Sequence, residues 1–151
     1  MNIWYKNYLS KEDLKVIASK IGEAEKTTSG EIRVVVRHRR HLGEAKMSPH
    51  EIAHKEFFKL GMEKTKHRTG ILIMVLFSKR QFHIAADEGI HAKVPDGTWD
   101  NIAQLMTAHF KKGNYRDGIC EAVQEVGKVL SIHFPREAGD VNELPNDVIE
   151  D

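Results

Sequence analysis

Several features that define common protein classes are scarce or absent in this chain of 151 residues. Cys120 is the single cysteine, so an intrachain disulfide is excluded. The longest unbroken apolar run, Ile71–Phe77, is far shorter than the about 20 residues that cross a bilayer. The N-terminus has neither the apolar core nor the small-residue cleavage site of a signal peptide. We therefore predict a protein without a membrane span, located in the cytoplasm.

Motifs of nucleophilic and nucleotide chemistry are also missing. No G-x-S-x-G and no phosphate-cradling glycine loop occurs, and Cys120 lies in a helical pattern typical of a buried hydrophobe. The basic cluster at residues 37–41 has no interleaved aromatic residues, so nucleic-acid binding is not predicted.

The charge is unevenly distributed along an otherwise ordinary globular composition, 40% apolar and 30% charged. Residues 135–151 carry one arginine against six acids, a net charge of −5, whereas the whole chain is at +1. We predict one domain over residues 1–134 and an acidic C-terminal tail over residues 135–151 without regular structure. A contact between tail and body and an external partner are both open.

The most informative stretch of the sequence is residues 70–90. Ile71–Phe77 is rich in β-branched residues, which is typical of a strand buried on both faces. After the short polar connection Ser78–Arg80, residues 81–86 alternate with the two-residue period of a second strand. So short a connection predicts an antiparallel hairpin, which returns the end of the second strand to the start of the first.

Helical patterns surround this hairpin. Ser10-x-x-Asp13 resembles a capping box and opens a helix predicted over residues 11–27, and Ser48 followed by Pro49 opens another. Residues 31–37 form a valine-rich strand, and two further helices precede Pro135. The order α–β–α–β–β–α–α, with a right-handed crossover between parallel strands, predicts an α/β protein. We expect a three-layer α/β/α sandwich around a small mixed sheet.

This topology predicts that acidic residues meet at one rim of the sheet. Glu31 opens the first strand, and Asp87 and Glu88 leave the third, while Asp96 or Asp100 can reach in from the next helix start. Ca²⁺ and Mg²⁺ prefer carboxylate and carbonyl oxygens, so these five acids are the predicted metal ligands and Ca²⁺ or Mg²⁺ the predicted cofactor. The open alternative is that the acids end strands, cap helices and face water.

A second motif, His50 to His54, matches H-E-x-x-H, which on a helix can bind zinc with the glutamate as general base. The alternative is that Glu51 belongs to a capping box. His50 would then lie in the first helical turn, where positive charge is disfavoured. A third ligand is not evident, and His67 qualifies only by residue type.

Four motifs occur together in a fixed order: Ser29-Gly30-Glu31 before a valine-rich strand, Thr69–Ile73, Asp87-x-Gly89-Ile90, and F-x-x-G-x-Y-x-x-G-I from Phe110 to Ile119. Over about residues 10–134 this set resembles the TPM domain family, named for a thylakoid lumen protein, a photosystem II repair protein and a nematode receptor modulator. The Phe134-Pro135 step and residues 142–145 resemble bacterial members that consist of a single stand-alone domain.

The resemblance implies an α/β/α sandwich, and in some members calcium or a related ion bound at an acidic rim. It also implies a proposed phosphatase activity in plant members, and a role in membrane-protein assembly or repair in others. Glu31, the Asp87–Glu88 turn and Asp96 match acidic or polar positions of the family. The sequence departs from many relatives in lacking a secretion signal and a membrane anchor, and in carrying Arg68 where others often have an acid.

Three functions follow as hypotheses. The first is a stand-alone module that binds a divalent cation and has a binding, assembly or repair role. The second is a metal-assisted phosphatase at the same rim, in which a cation polarises a phosphoryl oxygen and Asp87 is nucleophile or base. The third is a zinc hydrolase at His50 and His54. Whether the protein is an enzyme, and which protein partner it has, the sequence leaves open.

Overall fold

The computed structural model describes residues 8–151, so the start of the N-terminal segment in which no signal peptide is predicted lies outside the described residues. The helices are α1 (Lys11–Glu25), α2 (Pro49–Lys59), α3 (Glu88–His91), α4 (Thr98–Lys111) and α5 (Tyr115–His133). The strands are β1 (Glu31–Arg37), β2 (Gly70–Leu76), β3 (Gln81–Ala86) and β4 (Ile149–Glu150). The predicted order is confirmed, with the short elements α3 and β4 added.

The two predicted helix starts are confirmed as capping boxes. The Ser10 hydroxyl accepts a hydrogen bond from the Asp13 backbone, and the Asp13 carboxylate accepts one from Ser10 N–H at 2.8 Å. Ser48 and Glu51 repeat this arrangement at the start of α2. Each box satisfies two backbone donors that a helix start leaves without partners.

The sheet has the strand order β3-β2-β1-β4. β1 pairs with β2 in parallel, with Glu31 opposite Gly70, and β2 pairs with β3 antiparallel, with Ile71 opposite Ala86. The starts of β1 and β2 and the end of β3 therefore lie at one end of the sheet. This confirms the topology from which the acidic rim is predicted.

Helices cover both faces of the sheet, as predicted. Alternate residues of β2 pack in two separate clusters: Ile71, Ile73 and Val75 face α1, α4 and α5, whereas the intervening residues face α2. All of β2 is buried, and each such side chain contributes about 1.5–3 kcal/mol by leaving water. Within residues 8–151 no helix has the length and apolar character needed to cross a membrane.

The acidic tail differs from the expectation of irregular structure. β4 pairs in parallel with β1 at Val35 and Val36, and Asp151 N–H donates to the Val36 carbonyl at 2.9 Å. Side chains add to this contact, since Lys59 Nζ lies 3.3 Å from Asp151 Oδ2. The tail pairs with an edge of β1 that the body has already formed, so it needs no hydrophobic periodicity of its own. The residues that hold the tail, in β1 and at Lys59, belong to the body of the domain. The residue pattern of the tail itself therefore does not reveal the strand.

The basic cluster at residues 37–41 begins with a buried ion pair. Arg37 and Glu44 are both fully buried, and Arg37 Nη2 lies 2.6 Å from Glu44 Oε1. Burial favours the neutral acid, but hydrogen bonds from Arg37, the His41 backbone and Lys55 outweigh it and lower the pKa of Glu44 to about 2. Arg37 thus anchors the loop before α2.

Replacing Arg37 by methionine leaves Glu44 buried without its main counter-ion. We expect the Arg37→Met variant to lose about 3–5 kcal/mol of unfolding free energy at pH 7 in urea titrations, because an unpaired buried charge is costly. Folded Glu44 ionises at a lower pH than its ordinary 4.5. Its contribution is therefore present above pH 4.5 and lost as the pH falls towards 2, and the deficit of the variant should shrink over that range.

The exposed neighbour Arg39 provides the control. Arg39→Met removes the same charge from the surface and should change the unfolding free energy by no more than about 0.5 kcal/mol. Equal losses in the two variants would show that the buried pair has no special role.

Candidate functional site

The rim is built by backbone pairing at the start of β1 and β2. Glu31 N–H donates to the Thr69 carbonyl at 3.1 Å, and Asp87 N–H donates to the Gly70 carbonyl at 2.9 Å. Gly89 packs directly on this edge, because a Cβ there would lie 2.5 Å from the Arg68 carbonyl oxygen. The structure thus brings the backbones of Glu31 and Asp87 to one end of the sheet.

The Asp87 carboxylate is already neutralised by a cation of the protein itself. Arg68 Nε and Nη2 each lie 2.7 Å from one Asp87 oxygen, and Arg68 Nη1 lies 3.2 Å from Glu88 Oε1. Asp87 also accepts from Glu88 N–H at 2.8 Å and so caps α3. With these bonds the oxygens of Asp87 do not fit a divalent ion unless Arg68 leaves.

Asp96 and Asp100 lie further along the chain, at the turn before α4 and in its first turn. Both are exposed. Across residues 8–151, no three histidine, cysteine, aspartate or glutamate side chains form a group that could hold an ion as they stand. The five predicted acids are therefore distributed over a buried pocket, an ion pair and an exposed turn.

Glu31 faces a residue that the sequence analysis did not include, Glu25 at the end of α1. Only 2% of Glu31 and 5% of Glu25 is exposed, and their carboxyl groups lie within hydrogen-bonding reach of each other. One oxygen of each has a donor: Ile32 N–H donates to Glu25 Oε2 at 2.8 Å, and Glu143 N–H to Glu31 Oε1. We refer to these two residues as the carboxyl pair.

The remaining oxygens of the carboxyl pair, Glu25 Oε1 and Glu31 Oε2, are buried and have no hydrogen-bond donor among the described residues. Burial raises the pKa of Glu25 to about 9, against the hydrogen bond from Ile32, and the neighbouring Glu31 carboxyl adds to the rise. Burial also raises the pKa of Glu31, against the hydrogen bond from the Glu143 backbone. Both shifts favour a carboxyl pair that retains a proton at neutral pH.

A polar cavity of about 300 Å³ lies on the tail side of Glu25, the one member of the carboxyl pair in its wall. The rest of the wall is formed by a glycine, two cations and two amides: Gly22, Lys26, Arg136, Asn142 and Asn146. Arg136 is held by the Glu25 and Asp140 carbonyls, at 2.9 and 2.8 Å. The cavity therefore lies beside the carboxyl pair, at Glu25.

A signal for Glu25 was present in the sequence. Ile17, Ile21 and Glu25 are spaced by four residues and all three are buried on α1. A glutamate that continues an apolar stripe is unusual, since buried carboxyls need a partner. The partner, Glu31, follows in the very next strand.

The residues of the H-E-x-x-H motif have two separate roles in the structure: Glu51 caps α2, and the two histidines pack together. Glu51 accepts from Ser48 N–H at 3.3 Å, which confirms the capping box. His50 and His54 do lie together, with ring centroids 4.3 Å apart, but the next ring beside them is His83 of β3 rather than the exposed His67. Burial, reinforced by His50 and His54, lowers the pKa of His83 to about 4.

Comparison with protein families gives one match: residues 3–129 fit the model of the TPM domain. Among curated proteins nothing matches.

Solved structures similar to this chain include the following three. The BA42 protein of the psychrophile Bizionia argentinensis is 33% identical, covers 95% of this chain and 96% of its own, and superimposes with a TM-score of 0.86. The N-terminal domain of a P. gingivalis protein is 23% identical over 86% and 82% of the two chains, with a TM-score of 0.69. The N-terminal domain of cg2496 from Corynebacterium glutamicum, at 13% identity, 92% and 84% coverage and a TM-score of 0.64, shares the fold alone.

The carboxyl pair makes a testable contribution to the pH dependence of stability. Folded Glu25 keeps a proton up to about pH 9, whereas the ordinary value is 4.5. The native state then binds more protons than the unfolded state, and the unfolding free energy should fall as pH rises from 4.5 to 9. The slope is at most about 1.4 kcal/mol per pH unit for one proton. In Glu25→Gln the amide does not titrate, so the part of the slope that Glu25 contributes should disappear from urea titrations.

Glu23→Gln, on the exposed side of α1, is the matched control and should keep the wild-type slope. Glu56, whose pKa burial raises to about 7, contributes equally to all three proteins and cancels in the comparison. A Glu25→Gln protein with the full wild-type slope would contradict the retained proton.

Proposed function

The chain belongs to the TPM domain family, and from that premise we propose that it is a divalent-cation-binding domain. The ion, Ca²⁺ in preference to Mg²⁺, is held by the carboxyl pair of Glu25 and Glu31. The protein acts as a binding module, and the ion orders the edge on which the tail lies so that this edge can contact a partner, in an assembly or repair role.

The single observation that carries this proposal is that two neighbouring carboxyls, Glu25 and Glu31, each keep one buried oxygen without a hydrogen-bond donor among the described residues. Two carboxylates without a basic partner between them require a positive charge, either a proton or a metal ion. A divalent ion balances both charges at once. Hard cations select this type of ligand, since carboxylate oxygens are their preferred partners in proteins.

The cavity beside the carboxyl pair supports the choice of calcium. Ca²⁺ takes six to eight oxygens in flexible geometry, including amide carbonyls and water. Asn142 and Asn146 both line the cavity, and Asn146 Oδ1 accepts a hydrogen bond from Asn142 Nδ2 at 3.2 Å that an ion would replace. Mg²⁺ requires near-ideal octahedral geometry and gives up its water reluctantly. Lys26 and Arg136 in the same wall oppose a cation. We therefore expect a dissociation constant of about 10⁻⁴–10⁻³ M.

The tail links ion binding to a larger segment of the protein. Glu143 N–H donates to Glu31, and the Glu143 carboxylate accepts from Lys66 N–H at 3.0 Å. An ion on Glu31 therefore acts on a residue that already joins tail and body. Because a ligand stabilises the state that binds it, the tail should become more protected when the ion is present.

The proposed site retains one of the five acids predicted from the sequence, Glu31, and adds Glu25. Asp87 and Glu88 have their counter-ion in Arg68. The exposed Asp96 and Asp100 are not part of the proposed site, and the variants described below test this. The phosphatase alternative is weaker, because a nucleophilic carboxylate needs a free oxygen and both oxygens of Asp87 accept bonds from Arg68.

Calorimetric titration with Ca²⁺ tests the proposal. We expect one ion per chain and release of about one proton per ion, since the retained proton must leave. The affinity should rise about tenfold per pH unit between pH 6 and 8, below the raised pKa of Glu25. Titration in two buffers of different ionisation enthalpy measures the proton count.

Variants identify the ligands. Glu25→Gln and Glu31→Gln should each weaken Ca²⁺ binding at least about tenfold, while Asp96→Asn and Asp100→Asn should leave it unchanged. Binding that survives both glutamine variants and is lost with Asp96→Asn or Asp100→Asn would move the ion to the exposed turn. No heat and no amide shifts at about 10 mM Ca²⁺ would refute cation binding by this domain.

A further inference from the structure

Three histidine rings meet between α2 and β3. His50 Nδ1 and His83 Nε2 are 3.0 Å apart, and the rings of His50 and His54 have centroids 4.3 Å apart. The His50 and His83 rings stand at 89° with centroids 4.7 Å apart. This group, His50, His54 and His83, is called the histidine cluster below.

The fold places the cluster by two independent periodicities. His50 and His54 are one turn apart on α2, so they share a face of the helix. On β3, His83 alternates with Ile84 and lies on the same side as Ala85, which packs in the cluster around α2. Helix and strand therefore present imidazoles to a common space.

We propose that the histidine cluster is a binding site for a first-row transition-metal ion of the zinc type, with three imidazole ligands from α2 and β3. The fourth coordination position is open to solvent beside the exposed His50. The site binds metal without hydrolytic chemistry, because Glu51 is directed to the Ser48 backbone.

The distance between His50 Nδ1 and His83 Nε2 favours metal binding by these two rings. Two ligand nitrogens of a tetrahedral zinc ion are about 3.3 Å apart when each Zn–N bond is about 2.0–2.1 Å. His50 Nδ1 and His83 Nε2 need to separate by only a few tenths of an ångström from their hydrogen-bonded distance. An N–H···N bond also requires that the accepting ring is neutral, and neutral imidazole is the form that binds metal.

The third ligand requires a larger adjustment. Within residues 8–151 no three donors stand ready around an ion, so His54 must turn about its side-chain bonds to complete the site. The positive end of α2 also opposes a cation near His50, which lowers affinity by a factor of about two to five. Three metal–nitrogen bonds outweigh both effects, since imidazole is a strong ligand for zinc, copper and nickel.

The cluster is chemically and spatially distinct from the carboxyl pair. β2 lies between β3, which carries His83, and β1, which carries Glu31. Nitrogen ligands select zinc-type ions and oxygen ligands select calcium. The two sites can therefore be tested, and can fail, separately.

Titration of the 151-residue chain with Zn²⁺ by calorimetry, and with Co²⁺ by visible absorption, tests the proposal. We expect one Zn²⁺ per chain and an intense visible Co²⁺ band, as four- or five-coordinate cobalt gives. Imidazole resonances in NMR spectra should shift for His50, His54 and His83. His50→Ala, His54→Ala and His83→Ala should each lower Zn²⁺ affinity at least about tenfold.

His67→Ala is the matched control, because His67 is an exposed histidine outside the cluster. It should leave Zn²⁺ binding unchanged, as should Glu31→Gln, whose effect is confined to Ca²⁺. His50 is exposed and its loss is compatible with folding, which circular dichroism verifies. The absence of Zn²⁺ binding at about 1 mM, or equal affinity in wild type and His50→Ala, would overturn the proposal.

Discussion

The parallel pairing of β1 with β2 is the constraint on which the rest of the structure depends. Its register places Glu31 beside Gly70, and the antiparallel return of β3 places Asp87 at the same end. Parallel neighbours need a crossover, here α2, which covers the second face of the sheet. One ladder of backbone hydrogen bonds thus fixes the rim, the crossover helix and the strand edge that β4 later occupies.

Buried acids at this sheet are balanced in two different ways. Glu44 and Asp87 each have a guanidinium partner, Arg37 and Arg68, and their charge is matched within the protein. Arg68 holds this position with a left-handed φ of 56°, an uncommon backbone for a residue with a side chain. Within residues 8–151 Glu25 forms no such ion pair, and its neighbour is Glu31 instead. Where two carboxyls meet, a proton or a cation must supply the missing charge, which makes such a pair responsive to its surroundings.

The calcium and zinc-type proposals concern residues of opposite chemical character on different strands. The carboxyl pair is buried at the start of β1 and connected to the tail through Glu143. The histidine cluster lies between α2 and β3, with His50 at the surface. A domain of this size can hold both because the two faces and the two edges of its sheet are independent environments.

The sequence by itself determined the α/β/α architecture, the strand directions, both capping boxes and the shared rim of Glu31 and Asp87. These follow from hydrophobic period and connection length, which are local in the chain. Only the tertiary structure decided that Arg68 neutralises Asp87, that Glu25 faces Glu31, that His83 joins His50, and that the tail adds β4. Each of these depends on which side chains from distant segments meet. The order of the strands shows which residues lie at the same end of the sheet, but it does not show which of their side chains are in contact.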